Sequence, residues 1–166
     1  MSTSPEQRGV ARTSFGNKTR RRGGGQALVE FALIVPLILV ISLAVFDFGR
    51  AIYAYNTISN ASRAGTRTAI VNQYVAAIKA RASAQATALG VDPSADIDAT
   101  FLGPGGSGSC ATIVVFPEPC VAVVTVRYRF VPITPIIGQL TGTINLAATS
   151  SQPIESKCTT SGCPVP

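Results

Sequence analysis

Residues 25–46 read GQALVEFALIVPLILVISLAVF. From Ala27 to Phe46 the run is apolar, interrupted by one acid, Glu30, one proline, Pro36, and one serine, Ser42. A helix rises ~1.5 Å per residue, so a run of this length spans about 30 Å, the thickness of a bilayer's hydrocarbon core. Its single charge lies one turn from the N-terminal end. Pro36 removes one backbone hydrogen bond and predicts a local kink, which membrane helices tolerate. The stretch therefore predicts one membrane crossing, and the rest of the chain has to be arranged around it.

On the N-terminal side the composition reverses. Residues 1–25 hold Arg8, Arg12, Lys18, Arg20, Arg21 and Arg22 against Glu6 alone, a net charge of +5 within a total of +6. Basic residues flanking an apolar segment stay on the cytoplasmic side, so the tail sets topology: N-terminus inside, the remainder outside. A protein that bound nucleic acid through a folded part would carry its basic residues there, and this pattern argues against such a partner. The tail has no periodicity and predicts disorder. Only 13% of the 166 residues are charged, against roughly 25% in soluble domains. The shortfall is accounted for by the apolar run. The length suits one modest domain plus an anchor.

On the C-terminal side the helical pattern continues. Ile52, Tyr55, Ile58 or Ser59, and Ala61 or Ser62 recur at three- and four-residue steps. The small residues Ala51, Ala54, Ala61, Ala64 and Gly65 would let another helix approach closely. Asp47 and Arg50, three residues apart just past the run, read as a boundary ion pair or as a contact to another subunit. Tyr53 and Tyr55 suit the membrane–water interface. Arg63 and Arg67 share one face, read as solvated. A second helix is predicted over residues 71–89, ended by Gly90 and Pro93, and the break at residues 71–73 is either a kink or a loop.

Beyond Pro93 the period changes to two. Residues 97–101 alternate, and Val124, Val126, Tyr128 and Phe130 alternate with Thr125, Arg127 and Arg129. Residues 112–116 form a further β-branched run. With a turn around Pro117 and Pro119, it predicts a hairpin with residues 121–130. Residues 143–150 predict another strand. The glycine-rich stretch at 103–109 has no lysine and following helix of a phosphate-binding loop and reads as a loop. The expected fold is α+β: a basic leader over 1–25, a transmembrane helix over 26–46, an extra-membrane helical region over 47–90 and a small antiparallel sheet within 91–166.

Four cysteines, Cys110, Cys120, Cys158 and Cys163, all lie late in the chain. None forms a C-x-x-C pair, so a zinc ribbon or redox motif is not indicated. An even number outside the membrane suits disulfides in an oxidising compartment. Three pairings are open, and chain proximity favours Cys110 with Cys120 and Cys158 with Cys163. The chain has no histidine, which excludes histidine-dependent catalysis. Asp92, Asp96 and Asp98 lack the glycine and distal glutamate of a calcium loop. No enzyme activity, metal or cofactor is expected.

The stretch from residue 21, RRGGGQALVEFALIVPLILV, continuing from residue 46 as FDFGRAIYAYNTISNASRAGTRTA, resembles the TadE-like minor pseudopilins of tight adherence pilus systems. The resemblance continues weakly into VAVVTVRYRFVPITPIIGQL and TINLAATSS, which look like the family's C-terminal strands. It implies cleavage by a prepilin peptidase after Gly25, making Gln26 the first residue and Glu30 the fifth, followed by the aromatic Phe31. It also implies that Glu30 pairs with the new α-amine of Gln26, on a neighbouring subunit. The implied partners are the peptidase, other pilins or minor pseudopilins, an inner-membrane assembly platform and membrane lipid. The physics supports a role for Glu30, since a carboxylate in a membrane helix costs on the order of 2.5–3.5 kcal/mol at the centre and less near an interface. Glu30 alternatively snorkels and pairs with Arg21 or Arg22. A competing expectation is a secreted binding or adhesion domain, with Ser42-Leu43-Ala44 as an ordinary signal-peptide cleavage site.

Overall fold

The structure is a computed structural model and describes residues 24–110, 112–115, 118–134, 138–139 and 141–162. The basic leader up to residue 23, and Cys163, lie outside the described residues. The chain falls into two compact units, Met1–Ile38 and Leu39–Pro166. Apart from two short 3-10 turns, the described residues form, in order, α1 (Gly24–Ala69), α2 (Val75–Gln85), β1 (Ile97–Leu102), β2 (Val121–Phe130) and β3 (Ile144–Pro153). The architecture is α+β, with one long helix, a shorter one and a three-stranded antiparallel sheet ordered β1-β2-β3.

In the first unit α1 presents apolar side chains with nothing packed on them. Leu28 is 69% exposed, Phe31 66% and Leu33 73%. A helix this apolar and this bare is long enough to cross a membrane, and hydrocarbon, not water, is the solvent that suits it. This fits a membrane-associated, single-pass chain.

In the second unit the same helix changes partners. Ile58 and Ala61 are fully buried, and Ala54 and Ala69 nearly so. Ile58, Ala61 and Ala69 join Ile78 and Ala82 of α2 and Ala122, Val124 and Val126 of β2 in one core. The small residues of α1 thus face a strand as well as a helix. A Cβ on Gly65 would stand 3.0 Å from Val124 Cγ1 and 3.2 Å from Ala82 Cβ, so glycine permits the close approach of all three elements at that point. Thr66 donates its hydroxyl to Ser62 O at 2.8 Å and to Ser150 O of β3 at 3.2 Å, satisfying a buried polar group within the apolar layer.

The break after α1 is a loop. Asn72 Oδ1 accepts from Tyr74 N at 2.8 Å, an Asx turn that offers the backbone an alternative to helix. Gln73 N donates to Cys158 O at 2.7 Å, and Glu155 N and Ser156 N donate to Ile70 O. The buried Gln73 amide reinforces this clip, donating to Ala69 O and Ser156 O and accepting from Cys158 N, all within 2.8–2.9 Å. The second helix therefore starts at Val75 and not at residue 71, because the intervening backbone is committed to the C-terminal segment.

The predicted strand over residues 112–116 is not found at Thr112–Val115, and residue 116 of that run and residue 117 of the expected turn lie outside the described residues. β2 instead pairs with β1 on one side, Ile97 opposite Val126, and with β3 on the other, Val126 opposite Ala148. Both of its edges are occupied. The 112–115 segment turns to Cys120 instead, whose N–H donates to Val114 O at 2.9 Å. A Cys110–Cys120 disulfide, Cα–Cα 6.1 Å, closes this loop against the sheet. Cys158 is also disulfide-bonded.

Gly65 supplies a direct test of the packing. Gly65→Val places branched atoms where Val124 and Ala82 already stand, and overpacking of this kind costs about 1–3 kcal/mol. Urea denaturation of the folded part should register that loss. A neutral effect would mean that α1, α2 and β2 do not meet as described.

Candidate functional site

The four residues expected at a processing site lie together at the start of α1. Gly25, Gln26, Glu30 and Phe31 are all helical and exposed. Gln26 and Glu30 are four residues apart, hence one turn apart on one helix face. Among the described residues Glu30 has no ion-pair partner. Arg21 and Arg22, its alternative partners, lie outside the described residues. A Cβ built on Gly25 meets nothing within 4 Å, so the backbone at that position is open to approach.

The expected membrane-boundary residues Asp47, Arg50 and Tyr53 belong to the second unit. Tyr53 is 57% exposed, with an unobstructed aromatic ring. Asp47 is buried, although it directly follows the apolar run. Arg50 Nη1 donates to its Oδ1 at 3.4 Å, so the expected ion pair forms within the chain. The stronger partners are distant in sequence. Thr134 donates its hydroxyl to Asp47 Oδ2 at 2.6 Å and its amide at 2.8 Å, and Ile133 N donates to Oδ1 at 3.1 Å. The Arg50 guanidinium also stacks 5.3 Å from the Phe130 ring centroid. Asp47 is thus a tether that holds the loop after β2 against α1. Spacing in the sequence had indicated only its local partner, because nothing about an aspartate and a threonine 87 positions apart marks them as a pair.

The charge state of Asp47 follows from these donors. The Thr134 hydroxyl, then its amide, pull the carboxyl down from 3.8 to about 2 against the opposing effect of burial, with Ile133 N and Arg50 adding to the pull. All these donors favour the carboxylate over the acid.

Arg63 and Arg67 share an open groove of about 440 Å³ with Arg81, Asn60 and Gln85, so they face a concavity between α1 and α2 and not simply open solvent. Asp92 Oδ1 accepts from Ser94 N at 2.7 Å and from its hydroxyl at 2.6 Å, while Asp96 Oδ2 accepts from Asp92 N. These carboxylates organise their own turn.

The family model described as TadE-like protein matches residues 25–67. No curated protein and no solved structure matches the chain. The match begins at the glycine that starts the site and ends two residues beyond Gly65, inside α1. It covers the apolar run, the boundary residues and the packed stripe as far as Gly65, and leaves Ala69 and the sheet outside. Over residues 25–67 the chain is therefore similar to TadE-like proteins.

The Asp47 tether has a defined pH window. Its carboxyl is lowered in the folded chain, so its contribution is fully present above 3.8 and is lost as pH falls through about 2. Amide hydrogen exchange on Asp47→Ala at neutral pH should accelerate at Ile133 and Thr134 and stay slow at Val124 in the core. Retained protection at Thr134 would refute the tether.

Proposed function

We propose that this chain is a minor pseudopilin that supports assembly or function of a Tad-type adhesive pilus or a related secretion apparatus. A prepilin peptidase removes the leader after Gly25, leaving Gln26 as the first residue. The observation that carries this reading is the TadE-like match beginning at Gly25, on a helix where Gln26 and Glu30 stand one turn apart. Cleavage creates an α-ammonium on Gln26, a cation at the level where Glu30 needs one. A neighbouring subunit's amine offers the same charge and would fix the register of helices that otherwise slide on uniform apolar surface. The protein's task is structural and not catalytic. Its partners in this role are the peptidase, other pilins or minor pseudopilins, and an inner-membrane assembly platform. The folded part lies on the far side of the cytoplasmic membrane from the basic leader.

Intact-mass measurement of the membrane-extracted protein tests the processing step. A mature form starting at Gln26 is the expected result. An unprocessed Met1 form in a strain with working peptidase would count decisively against it, and a free protein starting at Val45 would establish a signal peptide instead. The assembly role is probed separately with Glu30→Ala. Cleavage should survive while pilus formation fails, scored by microscopy of the cells. Normal pili would remove Glu30 from the account.

A further inference from the structure

We propose that the loop carrying Val131 and Ile133 seats in the lipid–water interface, making a second contact between the folded part and the bilayer. This rests on the reading of residues 27–46 as the membrane crossing. Phe46 ends that run, and Asp47 is the next residue. Asp47 accepts from Ile133 N, Thr134 N and the Thr134 hydroxyl at 2.6–3.1 Å. Bonds that short hold the loop at the height of the residue where the apolar run stops, so its outward side chains meet whatever surrounds the end of the span.

Those side chains are aliphatic. Val131 and Ile133 are each 60% exposed, while their neighbours Pro132 and Thr134 turn inward and are buried. Phe46 and Phe48 are also exposed, at 60% and 67%. Beside them lies a cleft of about 220 Å³ lined by Ala44, Phe48, Ala51, Phe130, Pro132 and Ile144. Its wall is almost wholly apolar, with Asp47 facing its own hydrogen-bond donors. A patch of this kind is unfavourable in water. At the edge of the hydrocarbon it is stabilised by burial into the acyl boundary, as interfacial helices are. Arg50 stands one turn and Tyr53 nearly two turns past Asp47, where a guanidinium and a phenol can reach headgroups. The height fixed by Asp47 favours lipid over a protein partner, because anything covering the loop there has to displace lipid first.

The chain contains no tryptophan, so single-tryptophan variants report without background. The full chain carrying Leu39→Trp, Val131→Trp, Ile133→Trp or Tyr74→Trp is reconstituted into phosphatidylcholine vesicles with and without brominated acyl chains. Leu39→Trp reports on the span itself. Ile133→Trp and Val131→Trp, two independent substitutions in case one disturbs the loop, should each lose most of their emission in brominated vesicles. Tyr74→Trp, past the far end of α1, should keep its emission. Quenching of Leu39→Trp without quenching of either loop variant overturns the proposal and leaves the span intact. An unquenched Leu39→Trp overturns the span reading and the proposal with it. A loop tryptophan that is blue-shifted yet untouched by brominated lipid means that protein covers the loop, and the proposal fails.

Discussion

The folded part depends on a narrow stripe of small residues along the second half of α1. Ala61, Gly65 and Ala69 let one strand and one helix come close enough to exclude water, and the larger Ile58 is buried in the same core. A three-stranded sheet needs a hydrophobic partner to be stable. Here the inward side chains of β2, Ala122, Val124 and Val126, find it in α1 and α2. The element that carries the bare apolar run is therefore also a wall of the core. The apolar run and the packed stripe belong to one continuous helix.

Hydrogen bonds to backbone reinforce this arrangement at two levels of the helix. Asp47 holds the segment after β2, and Ile70 with Gln73 holds the segment after β3. These levels are separated by about 35 Å of helix. In both cases a stretch without regular structure has its N–H groups satisfied by α1 or the loop directly after it, which is what permits such a stretch to be buried at all. The disulfide at Cys110–Cys120 does comparable work for the loop between β1 and β2.

Much of this was legible in the residues. The apolar run, the long helix and the alternating strand at 121–130 follow from periods of 3.6 and 2 that local sequence carries. The burial of Val124, Val126 and Phe130, opposite the exposed Arg127 and Arg129, follows that alternation. Residues 112–115 have strand-like composition, yet whether they pair depends on a free edge, and β1 and β3 had taken both edges of β2. The start of α2 was misplaced because Gln73 is bound by residues 83 and 85 positions away. At the candidate site, Gly25, Gln26, Glu30 and Phe31 fall within seven residues of sequence, and they lie exposed on the first turns of α1. The task of Asp47 was not legible, since its partner is set by the tertiary fold and not by spacing.

The clip between Gln73 and the residues after β3 has a consequence for biogenesis. Synthesis delivers the anchor first and the closing residues last. Until β3 and residues 154–158 have emerged, the 10-residue strand β2 keeps one unpaired edge, and the end of α1 lacks its cover. A nascent molecule already fixed in the plane of a membrane would wait in that state among its neighbours. An open strand edge accepts any extended segment that arrives. The chain's own last strand has the advantage of being tethered nearby, and in the folded chain it is the one that occupies this edge.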